Sequence, residues 1–115
     1  MDERLKNLIN IENLKTKNIL LVGVGGVGSY CFEALIRSDI KNITIVDFDE
    51  YELSNLNRQL HANLNTINKP KVEVIKEYTK GIDKNININA INEKITKESE
   101  ININKYDYVI DACDN

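Results

Sequence analysis

The stretch Asn18-Ile19-Leu20-Leu21-Val22-Gly23-Val24-Gly25-Gly26-Val27-Gly28 decides the fold. After Asn18, Ile19–Val22 form an unbroken apolar run closed by glycine, the pattern of a strand buried on both faces of a parallel sheet. The glycines at 23, 25 and 28 then fit G-x-G-x-x-G, with a strand before and a helix after. Gly23 suits the tight turn, Gly25 the approach of a phosphate to the backbone, and Gly28 close packing of helix on sheet. Gly26 adds one more residue without a Cβ beside a ligand. The start of the helix offers free N–H groups and the positive end of its dipole.

Outward from this loop, the spacing of Val27, Cys31, Ala34 and Leu35 predicts a helix over 27–37, broken at Ser38-Asp39. Ile43–Val46 reads as a second strand ending at Asp47. That places an acid about 20 residues beyond the glycine loop, where it can accept hydrogen bonds from both hydroxyls of a ribose. Residues 48–69 form a long polar connection with one helical turn expected near 55–61, and a connection of that length is usually functional. Pro70 is suited to start a helix running to Lys80, stopped by Gly81. Ile86 and Ile88, alternating with Asn, give a third strand. Residues 96–105 suit a short helix, 1–17 a short helix and turn, and Tyr108–Ile110 a fourth strand ending at Asp111.

The order β-α-β-α-β-(α)-β, with right-handed crossovers, implies α/β architecture: a Rossmann-like doubly wound parallel sheet of order 3-2-1-4 in three α/β/α layers. This is the first half of such a domain plus the first strand of the second half. The chain stops at Asn115 before any helix covers strand four, so the expectation is one nucleotide-binding domain over 1–115 that is truncated at its C-terminus.

Composition excludes several function classes. In 115 residues with 42% hydrophobic content, no apolar run reaches the length of a membrane span. The charged start Met1-Asp2-Glu3-Arg4 leads to no apolar segment of a secretory signal. A net charge of −3 provides no basic footprint for nucleic acid. Cys31 and Cys113 lack the spacing of a zinc ribbon or a disulfide scaffold, which points to reduced thiols in the cytoplasm. The abundance of Asn, Ile and Lys reads as nucleotide bias of an AT-rich genome.

Three further residues are candidates for chemistry, and the histidine and cysteines are weighed beside them. Asp111 ends the strand expected beside strand one, at the switch point where ligands bind. A bare carboxylate there repels phosphate, whereas with Mg²⁺ it becomes a ligand; the plain alternative is a strand-ending turn. Arg58, one of three arginines, offers bidentate contact to phosphate, against the plain reading of a surface salt bridge. Lys71 falls in a first helical turn, where the dipole disfavours a cation unless an anion holds it; the plain reading is a solvated lysine. His61, the only histidine, reads as a buried hydrogen-bonded contact rather than a general base. Cys31 reads as core and Cys113 as a small thiol near the crevice.

Together, Gly23–Gly28, Asp47-Phe48-Asp49, Ser54-Asn55-Leu56-Asn57-Arg58-Gln59, Pro70-Lys71-Val72-Glu73 and Asp111–Asn115 resemble the ThiF/MoeB/HesA family of adenylating enzymes related to ubiquitin-activating enzyme. Asn57–Ala62 is most similar to the tRNA threonylcarbamoyladenosine dehydratase branch. The resemblance implies attack of a substrate carboxylate on the α-phosphate of ATP, with loss of pyrophosphate. It implies that Asp47 holds the ribose, that Asp49 lies near the nucleotide, and that Asn55, Arg58, Gln59 and Lys71 surround the phosphates. Asp111 then serves the Mg²⁺. The implied substrate carboxylate belongs to a modified tRNA or to the C-terminal Gly-Gly of a small sulfur-carrier protein, and the implied assembly is a homodimer. Two alternatives use the same fold: an NAD-dependent dehydrogenase half-domain, which has no evident use for Arg58, Lys71 and Asp111, and a non-catalytic subunit, in which that set is usually lost. The family's arginine before strand one has only Arg4 as a counterpart, at an insecure spacing.

Overall fold

The computed structural model describes residues 16–94 and 103–113. Strand β1 (Asn18–Val22) leads through the glycine loop into helix α1 (Gly26–Arg37), and β2 (Asn42–Asp47) follows. A long connection carrying a one-turn 3-10 helix (Leu53–Asn55) reaches α2 (Lys71–Lys80), then β3 (Asn87–Asn92) and β4 (Tyr108–Asp111). The sheet order is β3-β2-β1-β4, and all three pairings are parallel. The expected order is therefore the observed one.

Ile19 and Leu21 of β1 and Ile43 and Ile45 of β2 share a buried cluster with Phe32 and Ile36 of α1 and Val72 and Ile75 of α2. Both helices thus pack on one face, as two successive right-handed crossovers moving outward from β1 require. Each such buried aliphatic or aromatic side chain contributes roughly 1.5–3 kcal/mol relative to an exposed one. Among the described residues, no helix forms the third layer.

The elements sit where the sequence puts them, but their faces differ from the expectation. On α1, Val27 is 66% exposed and Ala34 is exposed, while Gly28, Ser29, Phe32, Glu33 and Ile36 are buried. The apolar spacing misjudges the face because Gly28 must meet the sheet and because two polar residues, Ser29 and Glu33, are satisfied by the long connection. Cys31 packs at the edge of the core. On α2, the buried residues are Lys71, Val72, Ile75 and Thr79, and Tyr78 lies at the rim. Gly81 ends α2 in a right-handed conformation, φ −76°, rather than the left-handed one. Asp39 does adopt φ 64° after α1, which ends that helix in the left-handed region.

Strand β3 lies two residues later than its Ile/Asn alternation suggests, because β2 sets its extent: Asn42 to Asp47 pair one for one with Asn87 to Asn92. The residues 1–15 and 95–102, where sequence suggests helices, fall outside the described residues, and a 3-10 turn occupies Ile103–Lys105. No described helix is long and apolar enough to cross a membrane.

Candidate functional site

Gly23 turns the chain with φ +93°, and a Cβ there would lie 3.0 Å from the Ala112 carbonyl oxygen. Only glycine tolerates both demands. Gly28 is tighter still, since its Cβ would lie 1.9 Å from the Gly23 carbonyl oxygen. The loop therefore clamps α1 directly onto the end of β1. The N-cap of α1, Gly25, supplies no side-chain hydrogen bond, and no acid occupies the first turn. The positive end of the helix is therefore not met by a capping side chain or an acid of its own first turn.

Asp47, at the end of β2, faces this turn. Its Oδ2 accepts the Val24 N–H at 2.9 Å and its Oδ1 accepts the Asp49 N–H at 2.9 Å. Two backbone donors fix the carboxylate as an oriented acceptor, with a second lone pair on each oxygen for other donors.

The connection after β2 is not a free loop. Glu50 bridges to Pro70 and Tyr51 to Ile67, so the chain doubles back and delivers α2 to the same end of the sheet. Within it, Asn55 is buried, and its Oδ1 accepts the Glu52 N–H at 2.7 Å while the Glu52 side chain accepts the Asn55 N–H. This reciprocal pair is a capping box. The Arg58 and Gln59 N–H groups both donate to the Asn55 carbonyl oxygen, at 3.2 and 3.0 Å. Arg58 is exposed, with Nη1 donating to the Ser54 carbonyl oxygen at 3.2 Å. Gln59 is buried against the glycine loop, and its Oε1 has no hydrogen-bond partner among the described residues.

Lys71 opens α2 and is only 5% exposed. Its Nζ lies 3.8 Å from Asp49 Oδ2 and 5.8 Å from the centroid of the Tyr51 ring. Tyr51 is fully buried, and burial together with the Asp47 charge pushes its phenol far above the ordinary range. The ring face helps to hold an ammonium that helix dipole and burial both disfavour. One long ion pair leaves hydrogen-bonding capacity on this cation.

These groups line one crevice of about 570 Å³ at the carboxyl ends of the strands, including Gly23, Gly25, Asp47, Asp49, Asn55, Arg58, Gln59, Lys71, Ala112 and Cys113. Its size suits a nucleotide-scale ligand. Gly26 and Gly28 do not line it; they shape it from beneath. Asp111 does not line it either. It is exposed at the end of β4, paired in register with Val22, and its Oδ1 accepts the Cys113 N–H at 3.1 Å. A second hollow of about 420 Å³ lies at the opposite pole, lined by Lys76, Lys80 and Lys84 with strand-end asparagines. Ligands of open α/β sheets occupy the carboxyl ends, which favours the first.

Sequence reasoning misses Tyr51, Ser29 and Glu33. The signal for the latter two is present: polar residues four apart on a helix that must pack on a sheet. His61 is placed as expected, buried, with Nε2 2.8 Å from Glu33 Oε1. Among the described residues, no three His, Cys, Asp or Glu side chains cluster as a metal site.

Known proteins resemble this chain in sequence and fold. The tRNA threonylcarbamoyladenosine dehydratase of Haemophilus influenzae is 42% identical over 114 residues, covering 97% of this chain and 44% of that protein. The molybdopterin-synthase adenylyltransferase of the same organism is 42% identical over 107 residues, covering 90% of this chain and 43% of its own length. The chain thus spans less than half the length of the curated relatives it matches. The crystal structure of Escherichia coli tRNA N6-threonylcarbamoyladenosine dehydratase in complex with AMP superposes with a TM-score of 0.87 at 33% identity, covering 97% of this chain and 46% of that one. A sequence profile described as the ThiF family matches residues 5–115. A parallel 3-2-1-4 sheet, a glycine loop closed on Asp47 and a buried lysine at the crevice accord with that match, and the chain belongs to the ThiF family.

Proposed function

We propose that this chain is the nucleotide-binding part of an enzyme that activates a substrate carboxylate by adenylation with ATP. The observation that carries the reading is Lys71, a buried ammonium lining the crevice with a single carboxylate partner among the described residues, at 3.8 Å. Solved relatives with AMP and with ATP bound support a nucleotide in this crevice.

In this reading Asp47 accepts hydrogen bonds from the ribose hydroxyls, with Asp49 beside it. Asn55, Arg58, Gln59 and Lys71 surround the phosphates, under the free N–H groups of α1. A carboxylate oxygen of the substrate attacks the α-phosphorus as the bond to the β-phosphate oxygen breaks. Pyrophosphate leaves and an acyl-adenylate forms. Such transfer needs positioning and charge stabilisation more than covalent help, and Lys71 and Arg58 provide both. Mg²⁺, when bound, neutralises phosphate charge. It usually keeps several waters and binds one or two carboxylates plus phosphates, so it needs no resident protein cage. Asp111, at the end of β4 next to the crevice-lining Ala112 and Cys113, is the carboxylate proposed to meet it.

The proposed substrate is the threonylcarbamoyl carboxylate on a tRNA adenosine, supported by the identity to the dehydratase. An internal nucleophile then displaces AMP and closes a ring. The identity to the molybdopterin-synthase adenylyltransferase supports a second reading, in which the carboxylate is the C-terminus of a small sulfur-carrier protein. A homodimer is proposed, supported by exposed Val27 and Tyr30 on α1. The proposed setting is the cytoplasm, consistent with two cysteines that form no disulfide.

The test is calorimetric titration of the protein, expressed from its complete reading frame, with Mg-ATP, with ATP in excess chelator and with NAD. Mg-ATP binding that weakens in Asp111→Ala, without NAD binding, supports the proposal. NAD binding indifferent to magnesium and to Asp111 refutes it in favour of a dehydrogenase.

A further inference from the structure

We propose that Ser29, Glu33 and His61 are positioning residues: together they lock the segment carrying Arg58 and Gln59 onto α1 and thereby set the phosphate contacts. This deepens the adenylating reading and rests on it.

Ser29 and Glu33 occupy the same buried face on consecutive turns of α1, the spacing at which helical side chains stand one above the other. Each grips one of two successive residues of the connection. The Leu60 N–H donates to Ser29 Oγ at 3.2 Å, and the Ser29 hydroxyl donates onward to the Gly26 carbonyl oxygen at 3.0 Å. His61 Nε2 lies 2.8 Å from Glu33 Oε1. The other Glu33 oxygen accepts from Arg37 Nε at 3.0 Å, and the Tyr78 hydroxyl of α2 helps to hold this carboxyl below its ordinary range. Phe32 meets the imidazole edge-on at 5.9 Å between centroids, and Tyr78 packs against it at 4.6 Å. Three elements therefore converge on one carboxylate and one ring.

Immediately upstream, the Arg58 guanidinium is held to the Ser54 carbonyl oxygen of its own segment and not to α1, and Gln59 Oε1 is buried without a partner among the described residues. Their place beside Gly25 and Gly26 is set from both sides, by the Glu52–Asn55 capping box before them and by the α1 lock after them. A guanidinium that must contact phosphate bidentately tolerates little displacement, on the order of 0.5 Å. The lock also explains why α1 buries an acid where apolar spacing predicts none. Its loss would be felt at the nucleotide before it is felt at β1 or β2.

The test is the Kd for Mg-ATP, by calorimetry, in a double-mutant cycle. His61→Ala is expected to weaken binding about tenfold, and Ser29→Ala, which removes both hydrogen bonds of the hydroxyl, about threefold. His61→Gln, whose amide N–H can still donate to Glu33, is expected to restore binding to within about threefold of wild type. In an Arg58→Ala background, His61→Ala and Ser29→Ala are each expected to cost less than about twofold, because the contact they position is gone. Losses of equal size in both backgrounds overturn the lock and leave the adenylating reading standing. A wild-type protein that does not bind Mg-ATP overturns the reading and the lock with it.

Discussion

Gly28→Ala isolates the contact on which the whole crevice depends. In a helix interior this substitution ordinarily stabilises, because alanine is favoured over glycine by about 1 kcal/mol. Here the added methyl would lie 1.9 Å from the Gly23 carbonyl oxygen and 2.7 Å from its carbon, against 3.4 Å for ordinary contact. The overlap of about 1.5 Å is with backbone, which has no rotamer to change. Gly23 cannot retreat, since its N–H is bonded to the Val46 carbonyl oxygen at 2.8 Å. So α1 must lift from the sheet. A gap of 0.5–1 Å already forfeits roughly a quarter to a half of the dispersion energy of the facing atoms, and Phe32 and Ile36 face the cluster there. Overpacking of this kind costs about 1–3 kcal/mol, occasionally more. The expected net loss is about 2–3 kcal/mol, read by urea denaturation, with a parallel loss of nucleotide affinity. Gly26→Ala is the control: it lies within α1 and its Cβ would meet nothing closer than the Arg58 carbonyl oxygen at 3.8 Å, so its stability should stay near wild type or rise. Gly28→Ala as stable as wild type or more stable, as helix propensity alone requires, would refute the reasoning.

Further outcomes are expected. Lys71→Met keeps the buried stem and removes the charge; it should weaken Mg-ATP binding by about tenfold or more while changing the melting temperature little, and unaltered affinity would remove Lys71 from the site. At Glu33, burial alone would raise the carboxyl, but hydrogen bonds from Tyr78, His61 and Arg37 outweigh it and hold the group below its ordinary 4.5. A depressed carboxyl contributes stability above the unfolded value and loses it as pH falls through the folded one. Glu33→Gln should therefore cost about 1–3 kcal/mol at about pH 7 and flatten the stability curve below about pH 4.5, measured by denaturant titration across roughly pH 3–7; an unchanged acid limb would sink this account. Asp47→Asn should leave an amide nitrogen facing the Val24 or Asp49 N–H, and a loss of affinity for ATP smaller than about threefold would argue against its ribose contact.

The parts of the fold written in the sequence are those whose cause is local. Ile19–Leu21 must be buried on both faces because no polar residue interrupts them, and Gly23, Gly25 and Gly28 lie where a strand hands over to a helix. Asp47 follows because a carboxylate ending β2 has nowhere to face but that turn. The faces of the helices are not legible for a different reason. Val27 and Ala34 match the apolar period as well as Phe32 does, and only the Gly23–Gly28 contact selects which side of α1 meets the sheet. The buried Ser29 and Glu33 are tolerated only once Leu60 and His61 arrive from 31 and 28 residues away. Likewise β3 has little apolar signal of its own, and its bounds are copied from β2 by hydrogen bonding.

Formal charge counting misjudges the crevice in the same way. Asp47, Asp49, Glu50, Glu52 and Glu93 line it against Arg58, Lys71 and Lys94, a balance that on its own would repel a polyphosphate. Burial reverses that expectation. Glu50, Glu52 and Glu93 are exposed, so their fields act through solvent and fade over about 8–10 Å at ordinary salt, while Asp49 is paired with Lys71 at 3.8 Å. The Glu52 carboxylate is already engaged by the Asn55 N–H, and both Asp47 oxygens by backbone donors. Lys71 is withdrawn from water, so its field is the least attenuated, and the uncapped start of α1 adds to it without salt-bridge competition. The Tyr51 ring supports the ammonium without neutralising it, as a closer carboxylate would. The site is thus negative in formal count, with the buried Lys71 and the start of α1 as the cationic groups that burial and geometry favour.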